Sequence, residues 1–325
     1  MGPSVLITGA AGFIGSHLTE ALVAAGHQVR VLVRYNSQGR LGWLDSLPCR
    51  DDLDVRLGDV RDLDSCLAAV DGVETVFHLA ALIGIPYSYT APLSYLKTNV
   101  EGTYNVLQAV RAKQVSRLLI TSTSEVYGTA DYVPMDEGHP LKAQSPYAAS
   151  KIGADQLALS FWRSFAVPVR IVRPFNVYGP RQSARAIVPT VIAQILSGQR
   201  ELRLGNLSPT RDLTFVADTV AGFLAIAACE ELQGQVTHVG TQSEVSVADL
   251  VRTIGEVMGV EVVAIEDPGR QRPVGSEVER LVCDSRKLQA AAGWRPRCCL
   301  REGLTATVAW FRAHHHLYDP LRYAV

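Results

Sequence analysis

The chain has 325 residues, 47% hydrophobic and 19% charged, enough for a large core in one two-lobed unit or two domains. A formal net charge of −1 excludes a whole-chain basic field for nucleic acid. No apolar run is long enough to span a bilayer, and no secretory leader precedes the first strand pattern, so a cytoplasmic protein with no membrane partner is expected.

The predicted elements alternate from the start. "SVLITG" reads as a strand and "FIGSHLTEALVAAG" as a helix. "QVRVLVR" and "LDVRLGD" are strands, and "DLDSCLAAV" is a helix. "TVFHLA" is a strand, "YLKTNVEGTYNVLQAVRAK" a helix and "RLLITSTS" a strand. "SPYAASKIGADQLALSFWRSF" is a long helix that leads to the strand "VRIVRPFNV". Such alternation predicts an α/β fold: a Rossmann-type, doubly wound parallel sheet with helices on both faces. After about residue 180 the pattern loosens and Pro and Arg increase. A smaller mixed α/β lobe is expected there. The predicted division is 1–180 for dinucleotide binding, with a return crossing near 211–240, and 181–325 mainly for substrate. Ligands in such sheets sit beyond the carboxyl ends of the strands, where the motifs of this chain fall.

Gly9, Gly12 and Gly15 in "ITGAAGFIG" follow a strand and open a helix. That context permits a tight turn, close approach to a pyrophosphate and N–H groups aimed at an anion. Phe13 and Ile14 belong to the same loop. An acidic residue is expected at the end of the second strand to bind the adenosine ribose, but Val33 and Arg34 stand there. Arg34, with Asn36 and Ser37, can grip a 2′-phosphate, which slightly favours NADP over NAD; stacking of Arg34 on adenine is the alternative. Asp59, followed by Val60, lies at the next strand end and is expected to meet the adenine. Leu79, Ala80 and Ala81 at the fourth strand end, with Asn99, Tyr147 and Lys151, complete the expected cofactor set.

In "SPYAASK", Ser145 is a helix cap, and Tyr147 and Lys151 fall four apart on one face. A phenol titrates near ~10, so Tyr147 needs a cation beside it to act as a base near neutrality. Thr123 is placed to hydrogen-bond the same substrate oxygen. Asn99 either braces this arrangement or is an ordinary buried asparagine. Ser124 and Glu125 follow Thr123, and a carboxylate at a strand end beside a reaction centre points to acid–base work. His78 reads as packed or cofactor-facing. Glu277 and Glu279 read as surface carboxylates, and the His314–His316 tract as a solvated helix end. The 6 cysteines show no C-x-x-C pair, so reduced thiols and no metal site are expected.

Together "GAAGFIG", "HLAA", "TNVEGTYNVL", "YAASK", "RPFNVYGPRQ", "RDLTFVADTV" and "GWRP" resemble the extended short-chain dehydrogenase/reductases, in their nucleotide-sugar epimerase/dehydratase branch. The likeness covers nearly the whole chain. "VRYNSQGRLGWLDSLP" and "STSEVYGTADYVPMDEGHPL", among other stretches, look most like the nucleotide-activated GlcNAc 4,6-dehydratases of legionaminic-acid-type pathways. The resemblance implies a tightly bound, regenerated NAD or NADP and a nucleotide-diphosphate sugar, UDP- or GDP-linked. It also implies a homodimer built from helices near 94–113 and 147–165. For the diphosphate and sugar it points to Asn176, Arg211 and Arg272, with Arg181, Arg185 and Val188 in the neighbouring loop. Tyr147, Lys151 and Thr123 would oxidise C4, and Glu125, helped by Ser124, would remove the C5 proton and release the C6 hydroxyl. Ser124 departs from the Asp often found there. UDP-glucuronate decarboxylases share "STSEVYG", so decarboxylation and 4-epimerisation remain as alternatives. A dinucleotide-binding sensor without turnover is the reading from another class, and the intact Thr123, Tyr147 and Lys151 argue against it.

Overall fold

The computed structural model describes residues 2–318. The first half runs β1 (Ser4–Thr8), α1 (Phe13–Ala24), β2 (Gln28–Val33), β3 (Asp54–Leu57), α2 (Leu63–Val70) and β4 (Thr75–His78). Two short helices follow, α3 (Ile85–Thr90) and α4 (Pro92–Tyr95). A π-helical segment, Leu96–Glu101, leads into α5 (Gly102–Ala112). Then come β5 (Arg117–Thr121), α6 (Pro146–Phe165), β6 (Val169–Pro174) and β7 (Asn176–Tyr178). The remainder comprises α7 (Ile187–Leu196), β8 (Glu201–Leu204), β9 (Thr210–Arg211), β10 (Leu213–Phe215), α8 (Val216–Ala228), β11 (Val236–Val239) and β12 (Val245–Ser246). It closes with α9 (Val247–Met258), β13 (Val263–Glu266), β14 (Arg280–Leu281), α10 (Arg286–Ala292) and α11 (Leu300–Ala313).

The main sheet has 7 strands in the order β11-β6-β5-β4-β1-β2-β3, all parallel. Successive side chains of a strand face opposite sides. Val5 and Ile7 of β1 therefore join Leu18, Leu22 and Phe223 in one apolar layer, while Leu6 joins Val76, Val106, Val110 and Phe161 in the other. Both layers need such runs because helices cover both faces. The strand order reverses beside β1, which opens a crevice at the carboxyl ends of β1 and β4. α8 and β11 return to this sheet. The smaller lobe has its own core, where Ile192, Leu202, Leu250, Ile254, Leu304 and Phe311 meet.

A segment after β2 ties the two parts together. Trp43 N donates to Ala11 O at 3.2 Å, so the segment lies against the glycine loop. The Trp43 ring packs edge-on against Trp310 of α11, with centroids 5.5 Å apart. Four residues further along α11's exit, His314 stacks on Trp310 at 4.3 Å. The tract is thus a helix end, and no group of His, Cys, Asp and Glu that could hold a metal occurs among the described residues. No helix among them is long and apolar enough to cross a membrane.

Candidate active site

β1 ends in Thr8, and the chain turns through Gly9 at φ +74°, a conformation that glycine adopts without strain. A Cβ on Gly9 would lie 2.7 Å from Ala80 N, and one on Gly15 would lie 2.2 Å from Gly9 O. The cradle therefore works only without side chains at these positions. Gly12 caps α1 with no side-chain hydrogen bond, and no acidic residue occupies the first turn. The open N–H groups of this 12-residue helix fit an anionic pyrophosphate.

Tyr147 and Lys151 lie one turn apart on α6, both buried. Ser145 caps this helix by accepting from Ala148 N at 3.1 Å, and Pro146 starts it. Burial pushes the Tyr147 phenol up from its ordinary value; the hydrogen bond with Thr123 opposes this, and Glu125, Asp155 and Tyr95 add to the rise. Burial pulls the Lys151 ammonium down, and the Asp155 charge opposes it. Tyr95 packs edge-on against Tyr147 at 6.2 Å and donates to Gly84 O. Asn99 sits in the π-helical segment. Its Oδ1 accepts from Leu82 N at 2.8 Å, and its Nδ2 donates to Leu82 O and Ser150 Oγ, each at 2.9 Å. Ser150 Oγ donates to Tyr147 O at 2.7 Å, so Asn99 links α6 to the segment at Leu82.

β5 ends in a 3-10 turn over Ser124–Tyr127, capped by Thr123, whose hydroxyl accepts from Glu125 N at 3.2 Å. Ser124 is buried, and Glu125 is only 9% exposed. Glu125 Oε2 stands 3.9 Å from Arg272 Nη1. Glu277 Oε1 lies 4.0 Å from the same nitrogen and 3.5 Å from Arg211 Nη2. Two carboxylates and two guanidinium groups thus meet beside Thr123. Burial lowers the proton affinity of Arg211, and Glu125 opposes that effect.

The model of the GDP-mannose 4,6 dehydratase family matches residues 6–307. The chain belongs to this family. It is a nucleotide-sugar branch of the extended short-chain dehydrogenase/reductases, and its members here include dehydratases, epimerases and decarboxylases. A dTDP-glucose 4,6-dehydratase of Streptomyces antibioticus is 32% identical over 98% of this chain and 95% of its own. A UDP-glucose 4-epimerase of Mycolicibacterium smegmatis is 35% identical, over 94% and 98%. A UDP-N-acetyl-alpha-D-glucosaminuronate decarboxylase of Bacillus cytotoxicus is 32% identical, over 94% and 97%. The crystal structure of the dTDP-glucose 4,6-dehydratase DesIV from Streptomyces venezuelae, with NAD bound, superposes with a TM-score of 0.86 at 30% identity, covering 98% of this chain and 100% of that one.

Against this family background several expected site residues fall elsewhere. Arg181 does not face Arg211 and Arg272: it pairs with Glu20 of α1 and meets His17 Nδ1 at 2.8 Å, tying its loop to α1. Val188 is buried in the core of the smaller lobe, where its side chain serves packing. Arg185 is exposed, and its guanidinium lies over Gly84, near Tyr95. Glu277 is not a surface carboxylate; its side chain is 11% exposed and joins the arginine cluster, whereas Glu279 is exposed. His78 is packed: Thr8 Oγ1 and Thr103 Oγ1 hold its nitrogens at 2.8 and 3.1 Å, and burial lowers its pKa to about 3. Asn176 is half-buried on β7, and its Oδ1 has no hydrogen-bond partner, as suits a ligand-facing amide.

Asn36 closes its own turn, donating to Arg40 O at 2.6 Å and accepting from Gln38 N and Arg40 N at 3.2 and 3.1 Å. Arg34 and Ser37 are exposed. Nothing here supports a preference for NADP. Asp59 chelates Arg61 with bonds of 2.6–3.1 Å, which lowers its pKa, while Val60 is buried beside it. Phe13 and Ile14 start α1, and Leu79, Ala80 and Ala81 border the crevice after β4.

Proposed function

We propose that the chain is a nucleotide-sugar 4,6-dehydratase with NAD as its resident cofactor, acting on a UDP- or GDP-linked N-acetylglucosamine-type sugar. The observation that carries this reading is the position of Glu125, buried two residues after Thr123 with its field reaching Tyr147. Oxidation at C4 needs one base. Loss of water across C5 and C6 needs a second acid–base group on the same substrate, and Glu125 supplies it.

Gly9, Gly12, Gly15 and the open turn of α1 would hold the dinucleotide, with Lys151 and Tyr147 beside its reactive end. When bound, the nicotinamide would supply a hydride acceptor for C4 and the hydride donor for C6. Tyr147 accepts the proton of the C4 hydroxyl, Lys151 favours the phenolate by its charge, and Thr123 orients the same oxygen. Once C4 is a carbonyl, the C5 proton is acidic and Glu125 removes it. The C6 hydroxyl then leaves with a proton from Glu125 as water, Ser124 holding the group in place; as hydride comes back to C6, Glu125, reprotonated from solvent, gives a proton to C5, and Tyr147 releases its own to solvent. Arg211 and Arg272 supply charge, and Asn176 an amide, for the diphosphate.

Decarboxylation is the second reading. The two guanidinium groups beside Glu125 would also receive a C6 carboxylate, and this rests on the cluster of Arg211 and Arg272. Mass spectrometry separates the readings. The protein is incubated with UDP-GlcNAc, GDP-GlcNAc, dTDP-glucose, UDP-glucose and UDP-glucuronate in ordinary and heavy water. Loss of water with deuterium at C5 supports the dehydratase and names its sugar. A new isomer of unchanged mass, or loss of carbon dioxide, rejects it.

The proposal includes a cytoplasmic homodimer. Leu96 is 50% exposed and Tyr104 41%, and with Leu93, Val100 and Leu157 they form an apolar groove along α5 and α6. A second copy presenting the same face would cover it.

A further inference from the structure

α6 carries a second buried acid that the proposed steps leave unused. Asp155 lies one helical turn beyond Lys151 and is fully buried. Its Oδ2 accepts from Ser122 Oγ at 2.6 Å and from Arg173 Nε and Nη2 at 3.2 and 2.8 Å. Arg173 Nη1 donates onward to the Tyr127 hydroxyl at 2.6 Å, which bonds His238 Nε2 at 2.5 Å. Asp155 Oδ1, equally buried, has no hydrogen-bond partner. One oxygen is saturated and the other is not, in a setting where water does not screen its field.

The groups around the catalytic pair divide clearly. Tyr95 presents a ring edge to Tyr147 from α4. His78 lies near Lys151 from β4 and stays neutral. Glu125 faces Tyr147 from the 3-10 turn but shares Arg272, with Arg211 and Glu277 behind it. Arg173 of β6 pairs with Asp155 Oδ2 at 2.8 Å and offsets part of its charge, while its Nη1 goes to Tyr127. Asp155 is the carboxylate whose field offsets the burial of Lys151. A buried lysine without a counter-charge drifts towards the neutral amine, and a neutral amine does not favour a phenolate.

We propose that Asp155 is a positioning residue for proton transfer: its carboxylate keeps Lys151 an ammonium and, through Ser122, fixes the strand end that carries Thr123. The inference rests on the reading that Tyr147 and Lys151 serve hydride transfer. Replacing the carboxylate by an amide removes an anion near both groups. Lys151 then loses its proton at lower pH, and Tyr147 also ionises at lower pH. Both limbs of the pH–rate profile therefore move in the same direction, by about one pH unit for a close charge. A merely loosened structure lowers the rate at every pH and moves neither limb.

The test compares wild type, Asp155→Asn and Asp155→Asn/Arg173→Gln as holoenzymes. The double variant guards against misfolding from a stranded Arg173 charge. Lysine is 15N-labelled, with Lys151→Met assigning the signal, and the ammonium is followed against pH without turnover. The expected result is loss of the Lys151 ammonium at lower pH in both variants, with both rate limbs displaced downward. An unmoved Lys151 titration in both overturns the proposal. A Lys151 titration that moves in the variants, while the wild type reduces no cofactor with any nucleotide sugar, instead overturns the hydride-transfer reading and leaves the charge pairing intact.

Discussion

Glu125→Gln separates chemistry from stability. The amide keeps the shape of the side chain and removes its proton-transfer capacity. At 3.9 Å from Arg272, the lost charge pair has a gross Coulomb energy of about 4 kcal/mol at an effective dielectric of 20. Arg272 keeps Glu277 at 4.0 Å and is itself 27% exposed, so the net loss of stability falls to roughly 1 kcal/mol. Loss of a general acid–base group slows the chemical step by about 10²–10⁴-fold, or ~3–5 kcal/mol in the barrier. Stopped-flow absorbance with a nucleotide sugar should therefore show the reduced nicotinamide form and persist. Mass spectrometry should show no loss of water, and the melting temperature should barely move. Wild-type release of water by the variant refutes the assigned role. Failure to reduce the cofactor at all would place Glu125 in the C4 step instead.

Gly15→Ala forces a methyl group to within 2.2 Å of Gly9 O and 2.8 Å of Ala10 Cα, both backbone atoms, so the loop must shift. The purified variant should lose its bound dinucleotide, read by absorbance after denaturation, while its circular dichroism is retained. His78 and His238 are depressed to about 3 and His17 to about 4, each chiefly by burial. Below the unfolded value near ~6.5 the unfolded chain takes up protons that the native chain refuses, so stability falls with decreasing pH by up to ~1.4 kcal/mol per unit for each fully buried His. The folded value of His17 also lies below this window, so it adds to the same fall, and urea midpoints between pH 7 and 5 measure the sum. Leu96→Asp places a charge in the apolar groove of α5 and α6; light scattering should show a monomer, and an unchanged mass would move the dimer contact elsewhere.

The local patterns were legible because their chemistry fixes residue types at short spacing. A glycine loop needs no side chains where Ala80 and Gly9 approach, and the Tyr147–Lys151 pair needs one helical turn. Glu277 was not legible. "GSEVERL" alternates charge and apolar residues like an exposed strand, and its inward turn depends on β14 pairing with β9, where Leu281 opposes Arg211 across 70 positions of chain. Arg181 likewise looked like a phosphate ligand. The chain adopts φ +68° there, and the side chain swings to α1, a partner no local pattern announces. Residue type alone also does not reveal that Asn36 is occupied by its own turn.

The contact of Trp43 with Trp310 bears on how long the dinucleotide stays. An enzyme that returns hydride to its own substrate requires one dinucleotide per lifetime, not one per turnover. On the proposed reading, a segment pinned to Ala11 of the glycine loop at one point and to α11 at another would couple release to the contact between the two lobes. Fast exchange confers no advantage on such a catalyst, and a slow leak ends its working life. Weakening this aromatic clasp should thus appear first as a shortened residence time, long before the chemistry itself slows.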